Sequence, residues 1–299
     1  MLCFRIRSLL PTRFGWVALA LALACLVQTV PGGSAIADET REIQVRRTPD
    51  NVRYGLIGEV QNGNGPAPTL FVFAHGIEDM ERQPGYTEVS VILANQGWIS
   101  VVIDPPCHGE DVRTGEPAQL DGWRHRIEQD DDFMSAFTAK ARSVLDVLVK
   151  DGVTDADRVA ACGTSRGGFL AFHFAAADPR VKAAAGISPV TRLTALREFS
   201  TISQREKVEQ LDVARLAPKL RGRAIWLSIG NNDARVNSDD AIAFTRDVVR
   251  AAAQPDKPNA VIPVELLVAP SQGHSKIDQA HELLAKWLFN QLHSGAGGL

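Results

Sequence analysis

The sequence predicts one α/β domain built on a mostly parallel central sheet flanked by helices, and three observations predict it. Short runs of β-branched and aromatic residues recur along the chain, amphipathic helical periods separate them, and no linker, repeat or low-complexity run divides the sequence. At 299 residues and 45% hydrophobic composition the chain has ample material for one sizeable core.

The first residues stand apart from that core. Arg5, Arg7 and Arg13 precede an uncharged apolar run from Phe14 to Val30, followed by Ala35-Ile36-Ala37 and the acidic pair Asp38-Glu39. A basic start, an apolar stretch and an A-x-A site form the pattern of a secretory signal peptide over residues 1–37. The catalytic domain is then expected over 38–299, with a periplasmic or secreted location and no stable membrane span after processing. A retained anchor and a lipoprotein through Cys25 are the alternatives. The mature chain carries −3 − 3 = −6 charges, since residues 1–37 hold three arginines and no acids. A mildly acidic chain without Lys/Arg runs is a poor nucleic-acid binder. Cys107 and Cys162 remain after processing; Cys162 closes an apolar run and reads as a buried thiol, a disulfide between the two being the alternative.

The elements follow in order. Glu42–Arg47 and Val52–Val60 read as an opening hairpin. Strands are expected at Leu70–Ala74, Trp98–Ile103, Arg158–Cys162, Val181–Ile187, Ala224–Ile229 and Val264–Val268. Helical stripes run through Met134, Phe137, Ala141, Val144, Leu145 and Leu148, through Ile242, Val248, Val249 and Ala252, and through Ile277, Ala280, Leu283, Leu284, Trp287 and Leu288. Phe169–Ala177 is apolar on every side, as a helix buried under a sheet should be. Pro105–Asp132 reads as a long loop and Ser188–Arg223 as short helical pieces. Both leave the carboxyl ends of strands, so they are candidate walls or lids over a site there, or else surface decoration.

The chemistry centres on Gly163-Thr164-Ser165-Arg166-Gly167, a G-x-S-x-G placed between a strand and a helix. A serine at the apex of so sharp a turn is exposed as a nucleophile, and the glycines let strand and helix approach. A hydroxyl needs a base to take its proton. His274, between the strand VELLVA and the last helix, is the candidate; His173 reads as a core residue, and His125, His281 and His293 lie elsewhere. Asp233, on the loop after AIWLSI, is the candidate orienting acid. Asp239 and Asp240 are its rivals, though SDDAIAF reads as a helix start. The oxyanion is expected to meet the backbone N–H of Arg166 and that of Ile77 in His75-Gly76-Ile77, with Gly76 as second choice. His75 is assigned to shaping that loop. No phosphate-loop or dinucleotide pattern appears, and no metal or other cofactor is expected. Asp130-Asp131-Asp132 reads as a helix start, and Trp123–Arg126 as surface loop or substrate contact.

From about Leu70 to Leu288 the chain resembles α/β-hydrolase-fold serine hydrolases of the dienelactone-hydrolase and prolyl-oligopeptidase-like branch, on the elbow GTSRGG, the loop HGI, and the spacing to GNND and GH. The resemblance implies esterase, lactonase or peptidase activity through Ser165, Asp233 and His274 without a metal. Two departures stand out. Cys107 replaces a glycine in Asp104-Pro105-Pro106-Cys107-His108-Gly109, which leaves that thiol a candidate to face the pocket, and the chain has no propeller domain to filter peptides. The function expected is therefore hydrolysis of carboxylic esters or a related acyl bond in a small-molecule substrate. A peptidase acting on short peptides is the alternative, and a non-catalytic binding protein a remote one.

The signal-peptide reading predicts that the exported protein begins at Asp38, about 37 residues shorter than the translated chain. Intact-mass and N-terminal sequencing of the exported form test it; a mature chain still carrying Phe14–Val30 would refute cleavage.

Overall fold

The computed structural model describes residues 42–59 and 65–293; the predicted signal peptide lies outside them. The chain opens with Gln44–Arg47 (β1) and Arg53–Ile57 (β2), paired antiparallel. Asn51 turns the hairpin at φ 67°, a region asparagine tolerates, while Thr48 Oγ1 accepts the Val52 N–H at 2.9 Å.

Ala67–Phe73 (β3) leads through Ile77–Arg82 (α1) and Glu88–Ala94 (α2) to Ile99–Val102 (β4). Gln119–Glu128 (α3) and Phe133–Lys150 (α4) follow, then Thr154–Thr164 (β5), Arg166–Ala177 (α5) and Val181–Ile187 (β6). Glu206–Gln210 (α6), Ala224–Gly230 (β7), Ser238–Ala252 (α7), Val264–Ala269 (β8) and Ala280–His293 (α8) complete the order. The strands form one sheet in the order β1-β2-β4-β3-β5-β6-β7-β8. β1, β2 and β4 pair antiparallel, and every pairing from β4 to β8 is parallel. This is the α/β arrangement the alternation of strands and helices predicts. Among the described residues no helix is long and apolar enough to cross a membrane.

Side chains alternate across β3, which shows why the central strands are apolar throughout. Phe71 and Phe73 enter a core shared with Phe137 and Ala141 of α4, Phe174 of α5 and Phe244 of α7. Leu70 and Val72 enter the opposite core with Met80 of α1, Leu93 of α2 and Leu284 and Leu288 of α8. A strand covered on both faces has no polar side to show.

The segment expected as a loop over Pro105–Asp132 instead contains α3. Its helix was obscured because one of its inward residues is charged. Leu120, Trp123 and Ile127 are buried, and Arg126 is buried beside them, donating to Glu116 at 2.5 and 3.0 Å and to Asp111 Oδ2 at 2.7 Å. Trp123 Nε1 donates to the Pro106 carbonyl at 2.7 Å. Trp123 and Arg126 thus anchor the segment from within, while Arg124 and His125 between them are half-buried on a helix and not in the expected surface loop. Cys107 is likewise buried, against Gly122, and burial pushes its thiol up to about 12. The pocket-facing role expected for it is not found; Cys107 and Cys162 are both buried free thiols. Asp132 caps α4, accepting from Ser135 N–H at 3.3 Å. Between β6 and β7, α6 and short 3-10 turns bury Leu193, Leu196, Phe199, Val208 and Val213.

The tightest backbone approach is at the β5–α5 turn. A Cβ added at Gly167 would overlap the Phe73 carbonyl oxygen, and one at Gly163 would overlap both that oxygen and the Gly167 backbone. Neither obstacle can swing aside. Gly167→Ala is expected to destabilise the fold by about 3 kcal/mol or more, lowering the melting temperature by about 6 °C or more. Thermal unfolding followed by circular dichroism measures this; an unchanged midpoint would contradict the close approach.

Candidate active site

Ser165 sits between the end of β5 and the start of α5 at φ 55° and ψ −118°. Such a conformation costs a non-glycine residue on the order of 1–3 kcal/mol, so the surroundings must impose it. They do so through the backbone. Ser165 N–H donates to the Ile187 carbonyl at 2.9 Å, and Ser165 O accepts from Gly168 at 3.1 Å and from Val190 at 3.0 Å.

The structure brings Ser165, Asp233 and His274 together across 109 residues of chain. His274 Nε2 lies 3.0 Å from Ser165 Oγ, and its Nδ1 lies 2.8 Å from Asp233 Oδ2. A carboxylate only accepts, so Nδ1 carries the proton and Nε2 is left to accept from the serine hydroxyl. Asp233 is held as firmly as the ring it faces. Its side chain is fully buried, and its Oδ1 accepts the N–H groups of Arg235 at 3.0 Å and Val236 at 3.3 Å. The rivals have other work: Asp239 and Asp240 lie in the first turn of α7, which Asn237 caps at 2.9 Å from Asp239 N–H.

The His274 loop, between β8 and α8, is tied down on both sides. Ser188 Oγ donates to the Ser275 carbonyl at 3.2 Å, and Lys276 pairs with Glu88 of α2 at 2.7 Å. Nothing in the spacing of the sequence signals either tie. His173, His281 and His293 fall where the sequence places them, whereas His125, expected in a long loop, is on a helix. His173 is buried in α5 with Nε2 2.9 Å from the Leu211 carbonyl, and His281 is buried in α8. His125 lies in α3, and His293 stacks on Phe289.

One expected site atom is committed elsewhere. The Ile77 N–H, expected to meet the oxyanion, donates to Asp104 Oδ1 at 2.8 Å. Ile77 opens α1, so its amide is one of the donors a helix leaves unpaired, and the Asp104 carboxylate at the end of β4 takes it. Asp104 also accepts the Glu110 N–H at 3.2 Å and faces Arg53 at 3.2 Å, joining the turns after β3 and β4. Burial raises its pKa, partly opposed by these bonds. The Gly76 amide, the second choice, and the Arg166 amide make no hydrogen bond among the described residues.

The arrangement supports nucleophilic chemistry on an acyl carbon: a hydroxyl on a strained turn, an imidazole within reach of its proton, and a buried carboxylate fixing that imidazole. A family model for the prolyl oligopeptidase family matches residues 140–295, just over half the chain, and that span holds Ser165, Asp233 and His274. The chain belongs to the prolyl oligopeptidase family. As a member of that family it is a serine hydrolase with the α/β-hydrolase fold. It is 29% identical over 131 residues to acylamino-acid-releasing enzyme 2 of Oryza sativa subsp. japonica, covering 42% of this chain but only 15% of that relative's length. Among solved structures, it is similar to the Pyrococcus horikoshii acylaminoacyl peptidase (TM-score 0.62, 13% identity, 87% of this chain and 43% of that one). It is also similar to acetyl xylan esterase 1 from Thermoanaerobacterium sp. JW/SL YS485 (TM-score 0.60, 15% identity, 84% and 88%). At such identities the likeness is one of fold, which peptidases and esterases share.

Buried histidines set a pH limit on the fold. His108, His173 and His281 are each pushed down to about 4, mainly by burial, from the usual 6.5. Between those values the unfolded chain binds more protons than the folded one, so their contribution is intact above about 6.5 and is lost as pH falls toward 4. The urea midpoint is expected to fall from pH 6.5 to 4.5 with a net uptake of protons on unfolding. Asp212, which burial raises to about 6, releases its proton on unfolding and partly offsets that uptake below about 6. The uptake should be about one smaller in His173→Gln. A midpoint flat over that range would contradict the buried neutral histidines.

Proposed function

We propose that the protein cleaves carboxylic esters or a related acyl bond in a small-molecule substrate through an acyl-enzyme, with Ser165, His274 and Asp233 as its triad. The single observation carrying this reading is the bridge of His274 between Ser165 Oγ at 3.0 Å and Asp233 at 2.8 Å. Ser165 Oγ attacks the carbonyl while His274 Nε2 takes its proton, and His274 returns that proton to the leaving group. Water then repeats the sequence on the acyl-enzyme. The Arg166 amide is assigned to the oxyanion, and with Ile77 occupied by Asp104 the second donor passes to Gly76. The N-terminal pattern supports a periplasmic or secreted location.

Peptide hydrolysis is the second reading, favoured by the likeness to the rice acylamino-acid-releasing enzyme. Parallel assays of acyl p-nitrophenyl esters and of acylated and free aminoacyl amides separate the two. Ser165→Ala is expected to abolish turnover and fluorophosphonate labelling with little change in melting temperature. Asp233→Asn is expected to lower kcat by roughly 10³–10⁴-fold, because the imidazole loses the partner that fixes its tautomer. Turnover surviving in Ser165→Ala would refute the assignment.

A further inference from the structure

The residue after the proposed nucleophile carries a charge that pairs with no carboxylate among the described residues. Arg166 folds back over the end of β3: its Nε donates to the Ala74 carbonyl at 3.1 Å, and one terminal nitrogen lies 2.9 Å from His75 Nδ1 and 3.1 Å from Nε2. Both partners are neutral. Among the described residues no carboxylate stands within ion-pair distance of this guanidinium, and its second terminal nitrogen has no hydrogen-bond partner. The side chain is nevertheless partly withdrawn from water. Burial weighs most against its charge; Tyr86, Asp79 and Glu198 favour it without pairing to it, and the like charge of Arg235 opposes it.

The acids that bear on Arg166 are already taken. Asp79 pairs with Arg82 at 2.5 Å, and Glu198 holds Arg235 through two bonds at 2.9 and 2.7 Å. An arriving anion would therefore displace no carboxylate from Arg166. A half-desolvated cation held only by neutral groups is costly, and a carboxylate able to take two guanidinium N–H groups offsets that cost.

The sheet order says on which part of the substrate the anion lies. β3 and β8 stand on opposite sides of β5, with Arg166 reaching toward the β3 end and His274 coming from the β8 side. The leaving group must depart beside the imidazole that protonates it, so the Arg166 side accommodates the acyl portion. We propose that Arg166 is a specificity-determining residue that binds a carboxylate carried on the acyl group of the substrate, making half-esters or half-amides of dicarboxylic acids the preferred class. This rests on the acyl-hydrolase reading above.

The test is a matched pair, p-nitrophenyl hexanoate and the mono-p-nitrophenyl ester of adipic acid, which differ by the terminal carboxylate. With spontaneous hydrolysis subtracted, the wild-type protein is expected to favour the adipate in kcat/KM by about tenfold or more at low ionic strength. That ratio should shrink as salt screens the charges. Arg166→Gln should bring the ratio to about one or below, whatever happens to the absolute rates, and Arg166→Lys should restore part of it. The ratio separates this role from oxyanion stabilisation, which would lower both esters alike and leave the ratio standing. A wild-type ratio near one, a ratio indifferent to salt, or a preference surviving in Arg166→Gln overturns the proposal. The salt series needs no variant, so the question is answered even if Arg166→Gln does not fold. Turnover of neither ester, together with no fluorophosphonate labelling, removes the hydrolase reading beneath it instead.

Discussion

The contact on which the site depends is the passage of α5 against the backbone of β3. Gly163 and Gly167 lie so close to the Phe73 carbonyl that neither has room for a side chain. That closeness forces the chain to reverse within a few residues, and the reversal holds Ser165 at a positive φ. The same reversal lets Ser165 take its backbone bonds from the β6 end, through Ile187 and Val190, so the turn is braced by the next strand along. The position of Ser165 is thus a property of three strands and a helix packed at their limit. The local strain is distributed into the sheet, where many ladder bonds resist it.

Charge around this turn is arranged with equal economy. The N-terminus of α5 and the Arg166 guanidinium both place positive potential near Ser165. In the proposed mechanism an imidazolium forms in the same space, which that potential opposes. The Asp233 carboxylate faces the imidazole from the other side, its side chain buried and its Oδ1 held by the Arg235 and Val236 amides. Asp104, by contrast, is spent on architecture: it ties the turns after β3 and β4 together, and Gly109 at φ 50° lies where any side chain would strike it.

Much of this was legible in the sequence because its signals are local or strictly ordered. β-branched runs separated by amphipathic periods place the strands, and the glycine pattern between RVAAC and FLAFHF marks the elbow. The loop positions of Asp233 and His274 after successive strands follow from the topology. What stayed hidden depends on pairings between distant segments. α3 reads as loop because Arg126 sits on its inward face, and only the fold supplies Glu116 and Asp111 as partners. The Ile77 amide reads as free because nothing in HGI reveals that Asp104, 27 residues later, claims it. The ties from Ser188 and Glu88 to the His274 loop are invisible for the same reason.

Arg166 brings these threads together, since its two halves answer to different constraints. Its backbone is fixed by the elbow, where α5 begins and the amide is left unpaired as in any helix start. Its side chain is free of that constraint and yet lies along the β3 end, held by a carbonyl and an imidazole. His75 can accept from the guanidinium only while neutral, and burial together with the adjacent cation lowers its pKa, which keeps it so. The loop residue assigned by sequence to architecture is therefore what aims the charge. A substitution at His75 would leave Ser165, His274 and Asp233 untouched while changing where that charge points, which separates the residues proposed to break the bond from the one proposed to select the substrate.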